Sequence, residues 1–391
     1  MVKTNAPIYM RKSSDDGTSN SDDQLHDLTD DSMTYLVEDD HSQRRRRGHG
    51  RRSPENDKRR SSAGPSFFVV SRSIWENRTM TVKLGYLLPT REKVMQASPS
   101  VRPMIDAAKR AADLGFDSIW AGDSLLARPR HDPITLLAGV AGAIPEIVVG
   151  TAVLLPALRN PVVLAQQLAT VDQISEGRLI VGAGIAPDTP AVRHEFAAAG
   201  VPFDRRVGRY MEGIRLCRAL WSGEPVSWEG RWSVDAGVLA PVPHREGGPL
   251  IWSAATVSAG IERTAKHHDG WFPIGPDAAT FARRNEEFRA AATAAGRNLE
   301  DLTTAIYLTV SIMDDPTEAE AAIDTYLEGY YSAPAPAMRS FQACKGGTAD
   351  QVIDFVRSFV EGGAQHLVIR CVGDHDAIQQ VLALRRDELL S

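Results

Sequence analysis

Two titratable side chains, one at the end of the apolar segment FDSIWAGD and one shortly after it, are the first candidates for catalysis. Asp123 ends this segment, and His131 lies eight residues further along, directly before Asp132. A carboxylate or an imidazole at the carboxyl end of a strand can act as a general base or anchor a polar group of a ligand. The alternatives are a loop hydrogen bond for Asp123, an exposed position for His131 and a helix N-cap role for Asp132. Asp123 and His131 are therefore the predicted catalytic residues.

The glycines of the segment GAGIAP are candidates for a binding site. The segment comes close to the glycine-rich fingerprint of dinucleotide-binding folds, but Pro187 stands where the third glycine should be, which argues against that fold. Gly182 and Gly184 have two possible roles. They either form the floor of a binding site, where a flat ligand approaches the backbone, or simply allow close packing inside the protein.

A polar turn at Thr256, Val257 and Ser258 begins a predicted helix. The free amides and the positive end of a helix there would suit a phosphate group. A plain capping turn predicts the same residue types, so the phosphate interpretation depends on the ligand.

The sequence shows no arrangement of metal ligands. HxxxH and CxxC motifs are absent, and the cysteines are three in number and widely spaced, at Cys217, Cys344 and Cys371. We expect these cysteines to be reduced structural thiols and expect no metal site.

The stretch from Ile147 to Ala186 indicates how the chain positions these side chains. Its apolar strands, IVVGTAVLLP and RLIVGAGIA, flank a helix that is predicted to begin at Pro161 behind an Asn160 cap and to end before Gly177. Neither strand alternates apolar and polar residues, which is typical of parallel strands buried on both faces. The stretch is therefore predicted to be a βαβ crossover.

Strand and helix patterns alternate through the whole segment from Met80 onward, interrupted by a hairpin-like insertion between Val226 and Pro243. Eight strands in 312 residues, nearly all followed by helices, predict an α/β fold of the (β/α)8 TIM-barrel type better than an open sheet. The site is then expected at the carboxyl ends of the strands. The predicted strands are 82–89, 116–123, 147–156, 178–186, 250–254, 270–274, 302–313 and 366–372.

Residues 1–79 differ in composition from residues 80–391. They are rich in Ser, Asp and Arg, include four consecutive arginines at 44–47, and show little apolar periodicity, which predicts a disordered extension. The compositional break coincides with Met80, so a misplaced upstream start codon is an alternative explanation of residues 1–79.

Residues 80–391 carry 30 basic and 37 acidic side chains, which does not favour nucleic-acid binding. No apolar run approaches the length of a membrane span, so we expect a soluble, cytoplasmic protein.

Several of these segments together resemble the luciferase-like monooxygenase superfamily, from about Val82 to the C-terminus. They are GTAVLLPALRNPVVLAQQLATVDQISEGRLIVGAGIA, FDSIWAGDSLLARPRHDPITLLAGVA, VPFDRRVGRYMEGIRLCRALWSG and KHHDGWFP. The resemblance implies a TIM barrel with an insertion after strand seven or nearby, a flavin or deazaflavin at the carboxyl-end mouth, and usually a homodimer. The pattern is most similar to the branch that uses coenzyme F420 rather than FMN.

The resemblance also implies roles for particular residues. It places a bulge with a non-prolyl cis peptide near Ala152 and Val153, behind the cofactor ring, and a phosphate-contacting turn at residues 256–258. The chain departs from the Gly-Gly often found at that turn. It also has Ser124 where several relatives have a histidine, and a serine cannot shuttle protons near neutral pH as histidine can. Either Asp123 or His131 takes that role, or hydride transfer needs only positioning.

The function expected from these residues and this resemblance is an F420-dependent oxidoreductase that exchanges a hydride with a small organic substrate. One alternative is an FMN-dependent monooxygenase that uses reduced flavin and O₂. A second, suggested by Ser124, is a catalytically silent cofactor-binding protein.

Overall fold

The apolar strands pair side by side in parallel, as their lack of polar alternation predicts. The computed structural model describes residues 82–390. Its strands are β1 (Lys83–Leu87), β2 (Ser118–Ala121), β3 (Val148–Leu154), β4 (Leu179–Ala183), β5 (Val226–Trp228), β6 (Val234–Gly237), β7 (Leu250–Ser253), β8 (Gly270–Trp271), β9 (Thr303–Ile312), β10 (Cys344–Gly347) and β11 (His366–Cys371). Eight of them form a closed ring in the order β1, β2, β3, β4, β7, β8, β9 and β11, because β11 pairs with β1. The predicted TIM barrel is confirmed.

Helices follow most of the barrel strands. They are α1 (Thr90–Met95), α2 (Arg102–Asp113), α3 (Pro133–Ala143), α4 (Pro161–Ile174), α5 (Pro190–Ala198), α6 (Arg206–Leu220), α7 (Ser258–His267), α8 (Ala278–Ala294), α9 (Pro316–Tyr331), α10 (Ala335–Arg339), α11 (Ala349–Glu361), α12 (His375–Leu384) and α13 (Arg386–Leu390). No helix within residues 82–390 is both long and apolar enough to cross a bilayer.

The ends of α4 illustrate how local sequence sets an element boundary. The side chain of Asn160 accepts a hydrogen bond from the Val162 amide at 2.9 Å, and Pro161 occupies the first helical position. Gly177, with φ of +81°, takes the left-handed conformation just after the helix. Both helix signals predicted from sequence are therefore present.

Four elements were not predicted from the sequence. Helix α5 lies in a segment that we expected to be a loop because of its proline and alanine content, and α1 and α10 are only six and five residues long. Strand β10 consists of CKGG, which has almost no strand propensity. Strand β8 has only two residues and pairs with the beginning of β9, at Thr303 and Thr304. Strand β10 pairs with the same edge of β9 further along, at residues 309–312.

Strand β10 and helix α10 form the insertion expected after the seventh barrel strand, and β5 with β6 forms the expected hairpin.

Two tryptophans fill the barrel interior. The rings of Trp120 and Trp252 stack with centroids 5.5 Å apart, and both side chains are buried. Glycines make room for them: a Cβ atom at Gly150 would lie 2.3 Å from the Trp120 ring, and one at Gly270 would lie 2.5 Å from the Trp252 ring. The barrel is thus a packed core, and the space available for a ligand is at its mouth.

The sequence interpretations that concern the arginine block, the disordered extension and Met80 as a start all lie outside the described residues.

Candidate active site

Strand β3 is irregular where it reaches the barrel mouth. The Ala152–Val153 peptide bond is cis, and the pairing of β3 with β4 shifts in register between Thr151 and Leu154. Ala152 and Val153 are half-buried beside the apolar side chains that line the upper barrel. The cis peptide implied by the resemblance is therefore found at the expected residues.

Gly182 and Gly184 pack directly against this bulge. A Cβ atom at Gly182 would lie 2.1 Å from the Thr151 carbonyl oxygen, and one at Gly184 would lie 2.7 Å from Cγ2 of Val153. Both distances are too short for any side chain to be accommodated without a shift. Of the two roles left open by the sequence, close packing is the one that these contacts support, and through it the glycines fix the position of the bulge.

Asp123 is held in a buried ion pair at the end of β2. Its carboxylate accepts hydrogen bonds from both terminal nitrogens of Arg159 and, at 2.9 Å, from the Leu155 amide. The Asp123 side chain is 2% exposed and that of Arg159 14%. Because Arg159 and the backbone use both carboxylate oxygens, the geometry does not support the predicted general-base role. We interpret Asp123 as a positioning residue that joins the end of β2 to the end of β3.

Ser124 is also used for positioning. Its hydroxyl donates to Glu195 on α5 at 2.7 Å, and the same Glu195 oxygen accepts from the amides of Leu125 at 2.5 Å and Leu126 at 2.8 Å. Glu195 is 1% exposed. This carboxylate organises the loop after β2, and the sequence analysis missed it because α5 was not predicted.

His131 links two loops at the mouth. Its Nε2 atom lies 2.7 Å from the Pro99 carbonyl oxygen, and its Nδ1 atom lies 3.3 Å from the Thr90 carbonyl oxygen. With both ring nitrogens against backbone carbonyls, this histidine is engaged in loop structure, so the contacts do not support the predicted catalytic role. Asp132 caps α3 through the Thr135 amide at 2.8 Å, as predicted from sequence.

The amino end of α7 is exposed and lacks a side-chain cap. Thr256, Val257 and Ser258 are all exposed, and no side chain accepts a hydrogen bond from the first turn of the helix. The apolar side chain of Val257 is 62% exposed. The free amides of this turn are therefore available to an anionic group, and phosphate binding by them stays a prediction.

A cluster of arginine and tyrosine side chains lies on the other side of the mouth. Arg370, at the end of β11, is 4% exposed, and its guanidinium carbon is 4.7 Å from the ring centroid of Tyr307 and 4.5 Å from that of Tyr330. The phenol of Tyr331 accepts a hydrogen bond from Arg370 at 3.2 Å. The contributing residues are Arg91, Arg128, Arg130, Arg370, Tyr307, Tyr326, Tyr330 and Tyr331. We call these eight residues the Arg/Tyr cluster.

The Arg/Tyr cluster was not found in the sequence analysis. The sequence does contain an indication of it. Arg370 interrupts the apolar run HLVIRCV of β11, two residues after Val368, whose side chain faces the barrel interior, so that Arg370 lies on the same face of the strand. A charged residue at an inward strand position is unusual enough to be a candidate for function.

A cavity of about 490 Å³ lies beside α1, α2 and α12. It is lined in part by Tyr86, whose hydroxyl lies 2.8 Å from Nδ1 of His375, and by Lys93 and Arg110. Burial raises the pKa of Tyr86 and lowers the pKa of His375. None of the residues predicted for the site lines this cavity, but Tyr326 of the Arg/Tyr cluster does.

No group of three or more His, Cys, Asp or Glu side chains in residues 82–390 is arranged to hold a metal ion. The mouth therefore combines an irregular apolar strand, an uncapped helix end and a set of arginines. These features belong to a barrel of the kind that carries its active site at the carboxyl ends of the strands, and they suit a flat, negatively charged ligand there.

Comparison with known proteins agrees with this class. The sequence model described as luciferase-like monooxygenase matches residues 82–366. The chain belongs to the luciferase-like monooxygenase family, and the family predicted from the sequence is confirmed.

Two kinds of curated relative are similar over most of the chain. A phthiodiolone/phenolphthiodiolone dimycocerosates ketoreductase of Mycobacterium tuberculosis (strain ATCC 25618 / H37Rv) is 26% identical, over 69% of this chain and 88% of the relative. An F420-dependent glucose-6-phosphate dehydrogenase of Nocardia farcinica (strain IFM 10152) is 27% identical, over 73% of this chain and 92% of the relative.

Solved structures share the fold. An F420-dependent secondary alcohol dehydrogenase, in complex with an F420–acetone adduct, superposes with a TM-score of 0.69 at 18% identity, covering 80% of this chain and all of that one. A long-chain alkane monooxygenase superposes with a TM-score of 0.65 at 15% identity, covering 80% of this chain and 92% of the other. At these identities the likeness establishes the barrel fold alone.

Proposed function

We propose that this protein is an F420-dependent oxidoreductase that exchanges a hydride with a small organic substrate. The observation that carries the proposal is the bulge of β3 around Ala152 and Val153 at the mouth, in a chain whose relatives include F420-dependent dehydrogenases. The relatives support the coenzyme and the reaction class. Neither the bulge nor the relatives identify the substrate.

The residues at the mouth fit a deazaflavin. Ala152 and Val153 offer a half-buried apolar surface beside Phe272 and Ile274, which suits one face of a flat ring. The uncapped amides at the start of α7 suit the phosphate of the side chain. The coenzyme, when bound, supplies the hydride chemistry.

The chain's own contribution is positioning and exclusion of water. Asp123, Arg159 and the Leu155 amide tie the end of β2 to the strand that contacts the ring. Glu195 fixes the loop that follows β2, and His131 fixes that loop to the one after β1. Because Asp123 and His131 are engaged in these contacts, we favour direct hydride transfer that needs only positioning over transfer assisted by either side chain.

Cofactor retention tests the proposal. Purified protein is mixed separately with F420 and with FMN, passed through a desalting column, and the retained coenzyme is measured by fluorescence. We expect F420 to be retained and FMN to be lost. Tight retention of FMN without F420 would overturn the coenzyme assignment in favour of the flavin-dependent monooxygenase.

The α7 contact is tested by Val257→Asp. A carboxylate at this N-cap position would occupy the free amides and repel a phosphate, so we expect F420 affinity to fall at least about tenfold, which is 1.4 kcal/mol. The Val257→Asn variant is the matched control, because it caps the helix without charge. Equal affinity of the Asp variant and the unsubstituted protein would show that the phosphate binds elsewhere.

Turnover separates an enzyme from a silent binding protein. Protein loaded with oxidised F420 is incubated with a panel of small alcohols and sugar phosphates, and protein loaded with reduced F420 with a panel of ketones, while the oxidised coenzyme is followed by absorbance. Reaction with any member supports an oxidoreductase, whereas retained coenzyme that never changes its redox state would favour the silent alternative.

We also propose a homodimer. Helix α4 carries Val163 and Ile174 on one face, eleven residues or three turns apart, and both are exposed, at 53% and 41%. Light scattering after size exclusion measures the mass directly, and Val163→Glu is expected to shift a dimer toward monomer. A monomeric unsubstituted protein would contradict the proposal.

A further inference from the structure

Arg370 carries a buried positive charge that the described residues leave without a counterion. It is 4% exposed, and no ion pair joins it to a carboxylate within residues 82–390. Its only hydrogen bond there is to the neutral phenol of Tyr331, and its Nε atom is buried without a partner. Burying an unpaired charge costs several kcal/mol, so such a group is retained where a charged ligand meets it.

Two neighbouring donors are also left without acceptors. The Nε2 atom of Gln342 and the hydroxyl of Tyr307 are buried and have no hydrogen-bond partner among the described residues. Gln342 is connected to Arg370 through Tyr331, whose hydroxyl donates to Oε1 of Gln342 at 3.3 Å. The Tyr307 ring lies against the guanidinium of Arg370. Arg370, Gln342 and Tyr307 thus each have an N–H or O–H group without a hydrogen-bond acceptor. An ionised oxygen, which accepts hydrogen bonds and donates none, would complete them.

The charges around these donors are predominantly positive. Arg91, Arg128 and Arg130 stack on the tyrosine rings that surround Arg370, and the nearby carboxylate is that of Glu92, which accepts a hydrogen bond from Tyr326. The four arginines of the Arg/Tyr cluster and the adjacent Glu92 together carry a net charge of +3. A positive, partly desolvated cluster with free donors is suited to an oxyanion.

We propose that Arg370, Gln342 and Tyr307 form an oxyanion subsite for the substrate, which takes a carboxylate or phosphate group in place of the Tyr331 hydroxyl. The assignment to the substrate rests on the proposed function. In the ring of eight strands, β11 lies three places from β3 and three places from β7. The oxyanion subsite is therefore across the mouth from both the bulge and the α7 amides, where the substrate must sit if the coenzyme occupies those two.

Tyr331 is the acceptor that the ligand displaces. It is the last residue of α9 and is followed by Ser332 in the left-handed conformation, with φ of +53°. Its bond from Arg370 is 3.2 Å long, at the weak end of the range for N–H···O bonds. An ionised oxygen in the same place would make a shorter and stronger bond.

Thermal unfolding of the full chain without coenzyme tests the oxyanion subsite. The midpoint Tm is measured with sodium phosphate, with sodium acetate and with sodium chloride at equal ionic strength. With phosphate, acetate or both, we expect a rise of Tm over chloride that follows the logarithm of the anion concentration above Kd and reaches roughly 5 °C at a hundredfold excess over Kd. Arg370→Gln is expected to abolish this rise, Arg370→Lys to keep part of it, and the exposed control Arg193→Gln to keep all of it.

Tyr331→Phe provides a test that does not depend on the folding of an Arg370 variant. Removal of the competing hydroxyl is expected to lower the Kd for phosphate or acetate about two- to fivefold. No rise of Tm in the unsubstituted protein, an equal rise in Arg370→Gln, or weaker binding in Tyr331→Phe would each overturn the proposal. A rise that grows in proportion to the salt concentration, without this logarithmic dependence, means an adventitious ion only and overturns the proposal as well.

F420 affinity distinguishes the two sources of an oxyanion. If the subsite serves the substrate, Arg370→Gln keeps F420 affinity within about twofold of the unsubstituted protein. A loss of tenfold or more would transfer the subsite to the coenzyme and overturn the substrate assignment. The anion measurements need no F420, so failure of the coenzyme assignment and failure of the oxyanion subsite give different results.

Discussion

At the scale of single residues, the carboxylates of the mouth hold backbone in place. Asp123 bonds to Arg159 and to the Leu155 amide, and Glu195 accepts from Ser124 and from consecutive amides of the following loop. A carboxylate at a strand end can therefore act in catalysis or hold the backbone in place, and its hydrogen-bond partners show which of these roles it has. Charged groups near the reaction centre can act by fixing geometry, since small displacements are costly in rate.

The Asp123–Arg159 pair is predicted to be a major source of local stability. In Asp123→Ala the buried Arg159 keeps only its 3.2 Å pair with the exposed Asp132, and the Leu155 amide loses its acceptor. The free energy of unfolding should therefore fall by about 3 kcal/mol, at the lower end of the cost of breaking a buried pair. Urea denaturation measures this loss.

A double-mutant cycle with Arg159→Met is the control for that prediction. The double variant should cost less than the two single variants together, because the unpaired charge is removed with its partner. A loss below about 1 kcal/mol for Asp123→Ala would mean that the pair contributes little and that the carboxylate is free for another role.

His366 is predicted to make the protein less stable in mild acid. It lies inside the barrel, where burial lowers its pKa from 6.5 to about 4, and its Nε2 atom is 2.7 Å from the Ser118 hydroxyl. As the pH falls below 6.5, the unfolded histidine takes up a proton that the folded one does not. The free energy of unfolding then decreases by up to about 1.36 kcal/mol per pH unit until about pH 4.

The His366→Gln variant isolates this contribution. Urea unfolding between pH 4.5 and 6.5, a window between the pKa of His366 in the folded and in the unfolded protein, should show a smaller slope of stability against pH than in the unsubstituted protein. Above about pH 7 the two slopes should coincide, since the histidine is neutral in both states there. Identical slopes at acid pH would contradict the burial of a neutral ring.

At the scale of elements, the interface of β3 and β4 is built on glycine. Gly182 and Gly184 bring β4 so close to the bulge that no Cβ atom fits between the strands.

The barrel strands, the α4 caps and the α3 cap were predictable from the sequence, because apolar runs and capping residues act over a few positions. Strand β10 was not, because CKGG is a strand only through its pairing with β9.

Gly182→Ala is predicted to disturb the bulge. Its Cβ atom would lie 2.1 Å from a backbone oxygen, which cannot move like a side chain, so we expect a loss of about 1–3 kcal/mol in unfolding free energy and weaker F420 retention. Both are measured on the same preparation, by urea unfolding and by fluorescence.

Gly142→Ala is the matched control. This glycine lies within α3, and nothing beyond its own helix backbone and chain neighbours comes within 4 Å of the position that a Cβ atom would take. The substitution should therefore stabilise the protein by about 0.5–1 kcal/mol. A Gly182→Ala variant that behaves like Gly142→Ala would show that β4 can move away from the bulge at little cost.

At the scale of the whole molecule, the barrel closes within residues 83–371. Strand β1 pairs with β11 from Lys83 opposite His366 to Tyr86 opposite Ile369. The number of strands and the closed topology were predictable, because eight repeating units leave few other arrangements. The Ser124–Glu195 contact, which spans 71 residues, and the charge of Arg370 inside the mouth were not, because they depend on tertiary neighbours.

A chain that begins at Met80 is predicted to fold as the full chain does. All strands of the closed ring lie after this residue, and the composition of residues 1–79 predicts no apolar core. We expect the same thermal midpoint, the same dependence of stability on urea concentration and the same F420 retention. A lower midpoint or aggregation of the shorter chain would show that the preceding residues contribute to the fold.

The two stacked indoles beneath the mouth provide an optical reporter. Trp120 and Trp252 are buried in the barrel interior, in one apolar cluster with the Ala152 and Val153 surface. A flat aromatic molecule on that surface would lie next to them and change their emission. Occupancy of the mouth can then be followed through tryptophan fluorescence, which makes ligands that do not fluoresce accessible to the same titrations.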